Sequence, residues 1–154
     1  MSDAQDNLVT ENLARMKAAD SAFNVMDRAG FNELHADDVE VYISGRTEPT
    51  KGLESHRHDC EGLWSAFSDL QVENDPYKVS FGSGDWTCAI SMTRGVHTGA
   101  MPGPGGAMIP PTNKPFRVNF ATMCRWADGK IVEECVFWDV PSMLEQIGVM
   151  PPSE

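Results

Sequence analysis

The feature that most restricts what this chain can become is Asp128-Gly129, set between the apolar runs FRVNFATMCRWA and KIVEECVFWD. A two-residue hairpin turn needs positive φ, which Gly supplies cheaply, so the dipeptide predicts an antiparallel hairpin. Counted from the turn, Ile131, Glu133, Cys135, Phe137 and Asp139 alternate onto one face. Pro141 ends the strand just beyond. A carboxylate closing a largely apolar face is costly unless it is paired, hydrated or used. Asp139 is therefore the leading site candidate. It has a second reading, as the N-cap of a short helix beginning near Pro141 or Ser142. Arg125 is expected on the neighbouring strand near the open end of the hairpin, where Asp139 returns. Glu133 lies six strand residues from Asp139, ~20 Å, too far to share a proton with it. It is better read as a partner for Arg125 or as a solvated rim residue.

The preceding chain alternates helix and strand signals. A stripe of Leu8, Leu13, Met16, Ala19, Phe23 and Met26 predicts a helix from Asn7 to about Arg28, with Gly30 as its stop. Asp37-Asp38 reads as a turn before a short strand carrying Val39, Val41 and Ile43. A second helix is expected from Gly52 to Phe67. Strands follow over 70–81, broken at Asn74-Asp75-Pro76, then over 86–99 and 116–126. Between the last two lies a Gly- and Pro-rich segment carrying Met101, Met108 and Ile109, either a rim over a site or a long connection. Helices first and mostly antiparallel strands afterwards give an α+β order in one domain, residues 1–154 with a core of about 8–148.

With 23 acidic residues against 12 Lys and Arg, the formal charge is -11. That balance argues against a nucleic-acid backbone or an anionic membrane as partner, since both need clustered bases. The start MSDAQDN has no signal-peptide pattern, and no apolar run is long enough to span a bilayer, so a soluble cytoplasmic protein is expected. Cys60, Cys88, Cys124 and Cys135 contain no CxxC pair and read as packed, reduced thiols.

Other candidates are less specific. His97 ends a strand just before the Gly/Pro segment and would either meet a substrate oxygen or fasten the loop. His35, in HADD, reads as a surface or turn residue. His56 and His58 stand two apart on a helix and cannot chelate one ion, while His56 with Cys60 makes only two ligands. No metal and no cofactor are expected. His56, Trp64, Trp126, Phe137 and Met108 are the expected pocket-lining residues, although Met and Trp also serve as plain core packing. No nucleophile elbow, phosphate loop or dinucleotide fingerprint is present.

The run GKIVEECVFWD…MLEQIG resembles the closing segment of the SnoaL-like polyketide cyclases of the NTF2-like superfamily. Gly95-Val-His97-Thr-Gly99 and Pro110-Pro-Thr112-Asn-Lys114 resemble the segment upstream, and together the similarities span roughly residues 8 to 150. The resemblance implies an NTF2-like cone: a curved, mostly antiparallel sheet packed on N-terminal helices around one pocket. It implies a homodimer and, with Asp139 as acid/base and His97 or Arg125 stabilising an enolate, cofactor-free aldol-type cyclisation. Isomerase or dehydratase chemistry on a small apolar or aromatic carbonyl compound is the near relative. Arg125 departs from the family, whose matching residue is a histidine. An arginine stays charged and would depress a neighbouring acid. It would bind a carboxylate or steady an enolate oxygen instead. The alternative is a non-catalytic small-molecule binding protein using the same pocket.

Overall fold

The computed structural model describes residues 3–152. Its first helix, α1 (Asp3–Asn24), buries Asn12, Met16, Ala19 and Ala22. The chain then breaks at Met26, which takes a positive φ of 55°, and restarts as α2 (Arg28–Leu34). The expected single helix with a Gly30 stop is thus two helices. Gly30 lies inside the second, where its N–H reaches the Asp27 cap at 3.1 Å. A Cβ there would sit 2.6 Å from the Asp27 carboxylate, so Gly30 is required by the cap, not by a terminus.

The Asp37-Asp38 turn does not form. Both residues belong to β1 (His35–Ile43), whose register slips between His35 and Glu40. After the short β2 (Thr50–Lys51) comes α3 (Leu53–Ala66), close to the expected span. Then follow β3 (Phe67–Val72), β4 (Val79–Ser83) and the long β5 (Trp86–His97). The Gly/Pro segment holds a miniature hairpin, β6 (Met101–Pro102) with β7 (Met108–Ile109). The chain ends with β8 (Pro115–Ala127), β9 (Lys130–Trp138) and α4 (Val140–Gln146).

The main sheet runs β2-β1-β9-β8-β5-β3, with β4 also on β5. All pairings are antiparallel except β1 with β9. On β8 the even residues Phe116, Val118, Phe120, Thr122, Cys124 and Trp126 are buried, a strict period of two. They face the helices, and the sheet curls around α1, α3 and α4 to leave a hollow between the layers. The result is the α+β, NTF2-like cone. The four cysteines are free thiols. Among the described residues no helix is long and apolar enough to cross a membrane.

Candidate functional site

One residue decides which side chains of β9 see the hollow. Arg125 pairs with Glu133, but Trp126 pairs with Ile131, leaving Val132 as an extra residue in β9. Such a bulge reverses the alternation on its far side. Beyond it, Glu134, Val136 and Trp138 sit opposite the inward Cys124, Thr122 and Phe120. Glu133, Cys135 and Phe137 point outward. The face counted from Ile131 is therefore correct for one residue and inverted for the rest.

The hollow is a cavity of about 510 Å³. Phe23, Phe67, Phe120, Val136, Trp138 and Met143 give it apolar walls, and Met101 and Pro102 of the small hairpin close part of it. Asp20, His35, His56 and Glu134 are among the titratable groups that line it, with Arg46, His58, Asp59 and Cys60. Glu134 Oε2 lies 3.5 Å from His35 Nε2 and 3.2 Å from His56 Nε2. His35 and His56 are buried, at 1% and 7% side-chain exposure, and Glu134 is mostly covered, at 13%. His35 Nδ1 donates to the Phe31 carbonyl at 2.7 Å, since a carbonyl can only accept. Phe31 also stacks on the His35 ring at 4.1 Å. Burial opposes charge on Glu134, but the two imidazoles outweigh it and hold the carboxyl well below its usual range.

Asp20 behaves oppositely. Enclosure in the protein raises its pKa to about 7, with nearby Glu134 adding to the rise, against the lowering effects of the Tyr77 hydrogen bond and His35. The Tyr77 hydroxyl donates to Asp20 Oδ2 at 2.5 Å and fixes the carboxyl in place. Two acids in one cavity are thus driven apart in proton affinity, the pattern of an acid/base site. Where the cavity meets solvent, half-exposed Arg46 grips Asp59 at 2.8 and 3.1 Å, and Thr50 adds a bond of 2.6 Å. Partial burial raises the Asp59 pKa, but these bonds more than offset it and leave the acid below its usual range. A smaller depression of about 350 Å³ elsewhere includes Arg117, already held bidentately by Glu73 at 2.7 Å, and gathers no comparable set.

The residues singled out from sequence fall as follows. His56 lines the cavity. Asp139 is exposed, and its Oδ1 accepts from Ser142 N–H at 3.1 Å as the N-cap of α4. Arg125 is paired with Glu133 at 3.2 Å, as one reading had it, near the turn and not near Asp139. A tight turn folds the two strands back residue for residue, so Asp139 returns beside Asn119, bonding it at 3.2 Å. Neither Asp139 nor Arg125 is on the cavity wall. His97 is fully buried behind Phe67 and ties down the loop. Its Nδ1 accepts from Thr112 N–H at 3.3 Å and lies 3.2 Å from the Thr112 hydroxyl. Trp64 packs behind the wall on Phe23 at 5.3 Å, and Trp126 is core, donating to Thr87 at 2.9 Å. Phe137 and Met108 are 44% and 58% exposed, Phe137 on the outer side of the sheet.

Sequence reasoning missed Asp20, His35 and Glu134. Asp20 lies four residues after Met16 and three before Phe23, hence on the buried stripe of α1, a signal that was legible. Glu134 gave no signal, because regular pairing across the turn sets Glu133 opposite the inward Cys124, and only the extra residue Val132 puts Glu134 there. His35 gave no signal, because its burial depends on α2 ending immediately before it.

The fold and the cavity together define a SnoaL-like member of the NTF2-like class. A profile of the SnoaL-like polyketide cyclases matches residues 14–147, and the chain belongs to that family. A presumed SnoaL-like polyketide cyclase from Jannaschia sp. CCS1 superposes with a TM-score of 0.78 at 19% identity, covering 94% of this chain and 96% of that one. IdmH, a presumed polyketide cyclase from Streptomyces antibioticus, gives 0.74 at 25% identity, over 90% and 99%. AclR, a presumed hydroxylase from Streptomyces galilaeus, gives 0.75 at 22%, over 95% and 86%. No curated protein matches the sequence.

Proposed function

We propose that the chain catalyses proton transfer on a small, largely apolar carbonyl compound of polyketide type, leading to aldol ring closure or to a related isomerisation or dehydration. The observation that carries this reading is Asp20, a carboxyl raised to about 7 inside an apolar cavity. Its carboxylate removes a proton alpha to a carbonyl. The enolate oxygen is met by His56, whose Nδ1 has no hydrogen-bond partner within the protein. The enolate carbon attacks a second carbonyl held by the walls, and protonated Asp20 returns its proton to the resulting alkoxide. Tyr77 orients Asp20 throughout. Asp139 and Arg125 have no part in this scheme, since Asp139 caps α4 and Arg125 pairs with Glu133.

Deuterium exchange tests it. The protein is incubated in D2O with a panel of β-diketones and aryl methyl ketones, and loss of α-proton signal is followed by NMR. Exchange should accelerate for at least one compound and fall ~10²–10⁴-fold in Asp20→Asn. Ligands that bind without exchange would instead make this a binding protein.

The assembly proposed is a homodimer through the outer face of the sheet. There Val79, Ile90, Ala121 and Phe137 form one cross-strand row, and Phe81, Cys88, Met123, Cys135 and Tyr42 the next. Val79, Phe81, Ile90 and Phe137 are each 37–56% exposed. Cytoplasmic residence is proposed from the sequence alone.

A further inference from the structure

We propose that His35, His56 and Glu134 form a binding site for one divalent first-row transition-metal ion. The inference goes beyond the proton-transfer reading and does not depend on it. The three ligand atoms come from the start of β1, from α3 and from the bulge-shifted part of β9, and all lie within 4.8 Å of one another. The separations from Glu134 Oε2, 3.5 Å to His35 Nε2 and 3.2 Å to His56 Nε2, bracket the edge of a coordination tetrahedron. For metal–ligand bonds of ~2.0–2.1 Å that edge is ~3.3–3.4 Å.

The surroundings fit ligands better than an isolated salt bridge. A neutral His35 ring that gives its Nδ1 proton to Phe31 O at 2.7 Å presents a bare Nε2 to a metal, whose charge would replace the proton otherwise facing Glu134. That outer hydrogen bond is the usual companion of a metal-bound imidazole. Glu134 Oε1 is steadied by the Thr122 hydroxyl at 3.5 Å. Glu134 Oε2 and His56 Nε2, close as they are, have no hydrogen bond of acceptable geometry, and both are buried. Buried polar atoms rarely stay unsatisfied. One cation satisfies both. Two imidazoles and one carboxylate leave further coordination positions, the pattern of an open site rather than a closed structural one. All three residues line the cavity. A metal there would polarise a carbonyl oxygen as a Lewis acid, in the same cavity as Asp20. His58, two residues from His56 on α3, is not one of the three clustered ligands. The partners of His56 arrive from other elements.

Tag-free protein is stripped with chelator, dialysed and titrated with Co²⁺, followed by visible absorption, and with Zn²⁺, followed by calorimetry. One equivalent should bind, with a visible Co²⁺ band. Glu134→Gln and His56→Ala should each weaken binding more than tenfold, while His58→Asn should leave it unchanged. In the unaltered protein, Zn²⁺ should shift the ring ¹⁵N resonances of His35 and His56 and not those of His58 or His97, a readout that stands even where a variant fails to fold. Titrations that do not saturate, binding that survives Glu134→Gln, or shifts confined to other histidines would overturn the site. Deuterium exchange reads the proton-transfer proposal separately, so either idea can fail alone.

Discussion

At the scale of single residues, Asp20 carries the most testable energetics. Its carboxyl is raised from an ordinary 3.8 to about 7, facing Tyr77, His35 and Glu134. The folded state therefore holds one more proton than the unfolded state between about pH 4 and 7. Stability must fall as pH rises through that window, because the slope follows the difference in bound protons, unfolded minus folded. The full shift corresponds to at most ~4 kcal/mol, at 1.36 per unit. Asp20→Asn keeps a polar group against Tyr77 but cannot ionise. Urea unfolding should show the variant more stable than the parent at pH 8, by up to that amount, with the gap closing near pH 4. Parallel curves at all pH values would place the Asp20 pKa near that of an ordinary carboxyl.

At the scale of elements, the junction of β9 and α4 separates a cap from a catalyst. Asp139 sits one residue before α4, with Pro141 in the first turn, and accepts from Ser142 N–H. Losing a cap of this type costs ~1 kcal/mol, or a few degrees in melting temperature for a domain this size. Asp139→Ala should show that loss by calorimetry, Asp139→Asn should recover most of it, and α-proton exchange should be unchanged in both. An unaltered melting temperature with abolished exchange would return Asp139 to the chemistry. The same strand shows what was legible in the sequence. The Asp128-Gly129 turn, the Arg125–Glu133 pair and the long strands were readable because each depends on local backbone geometry and a period of two. Glu134 was hidden by one extra residue, Val132, since parity carries no memory across a bulge. His35 was hidden because nothing local distinguishes a turn histidine from one that begins a buried strand. His56 was readable as a pocket residue because α3 follows its apolar stripe without interruption.

At the scale of the molecule, the sheet has two faces with different tasks, and the bulge assigns them. The inner face holds the cavity. The outer face aligns Phe81, Val79, Ile90 and Phe137 in adjoining rows, a contiguous apolar patch of the kind that marks an interaction surface. Pairing two such faces buries these side chains at ~25 cal/mol per Å², against the repulsion of two chains that each carry a net charge of -11. Salt screens that repulsion and does not weaken apolar burial, so association should tighten as ionic strength rises. Sedimentation equilibrium at micromolar concentration should give twice the 16.9 kDa chain mass. The double change Phe137→Glu with Ile90→Glu should give the monomer mass with an unchanged circular dichroism spectrum. Because both residues lie across the sheet from Asp20 and Glu134, that monomer should keep its α-proton exchange. A parent protein that sediments as a monomer at high salt would mean that the outer face serves some other contact, while a monomer without exchange would mean that the curl of the sheet, and with it the cavity, depends on the second copy.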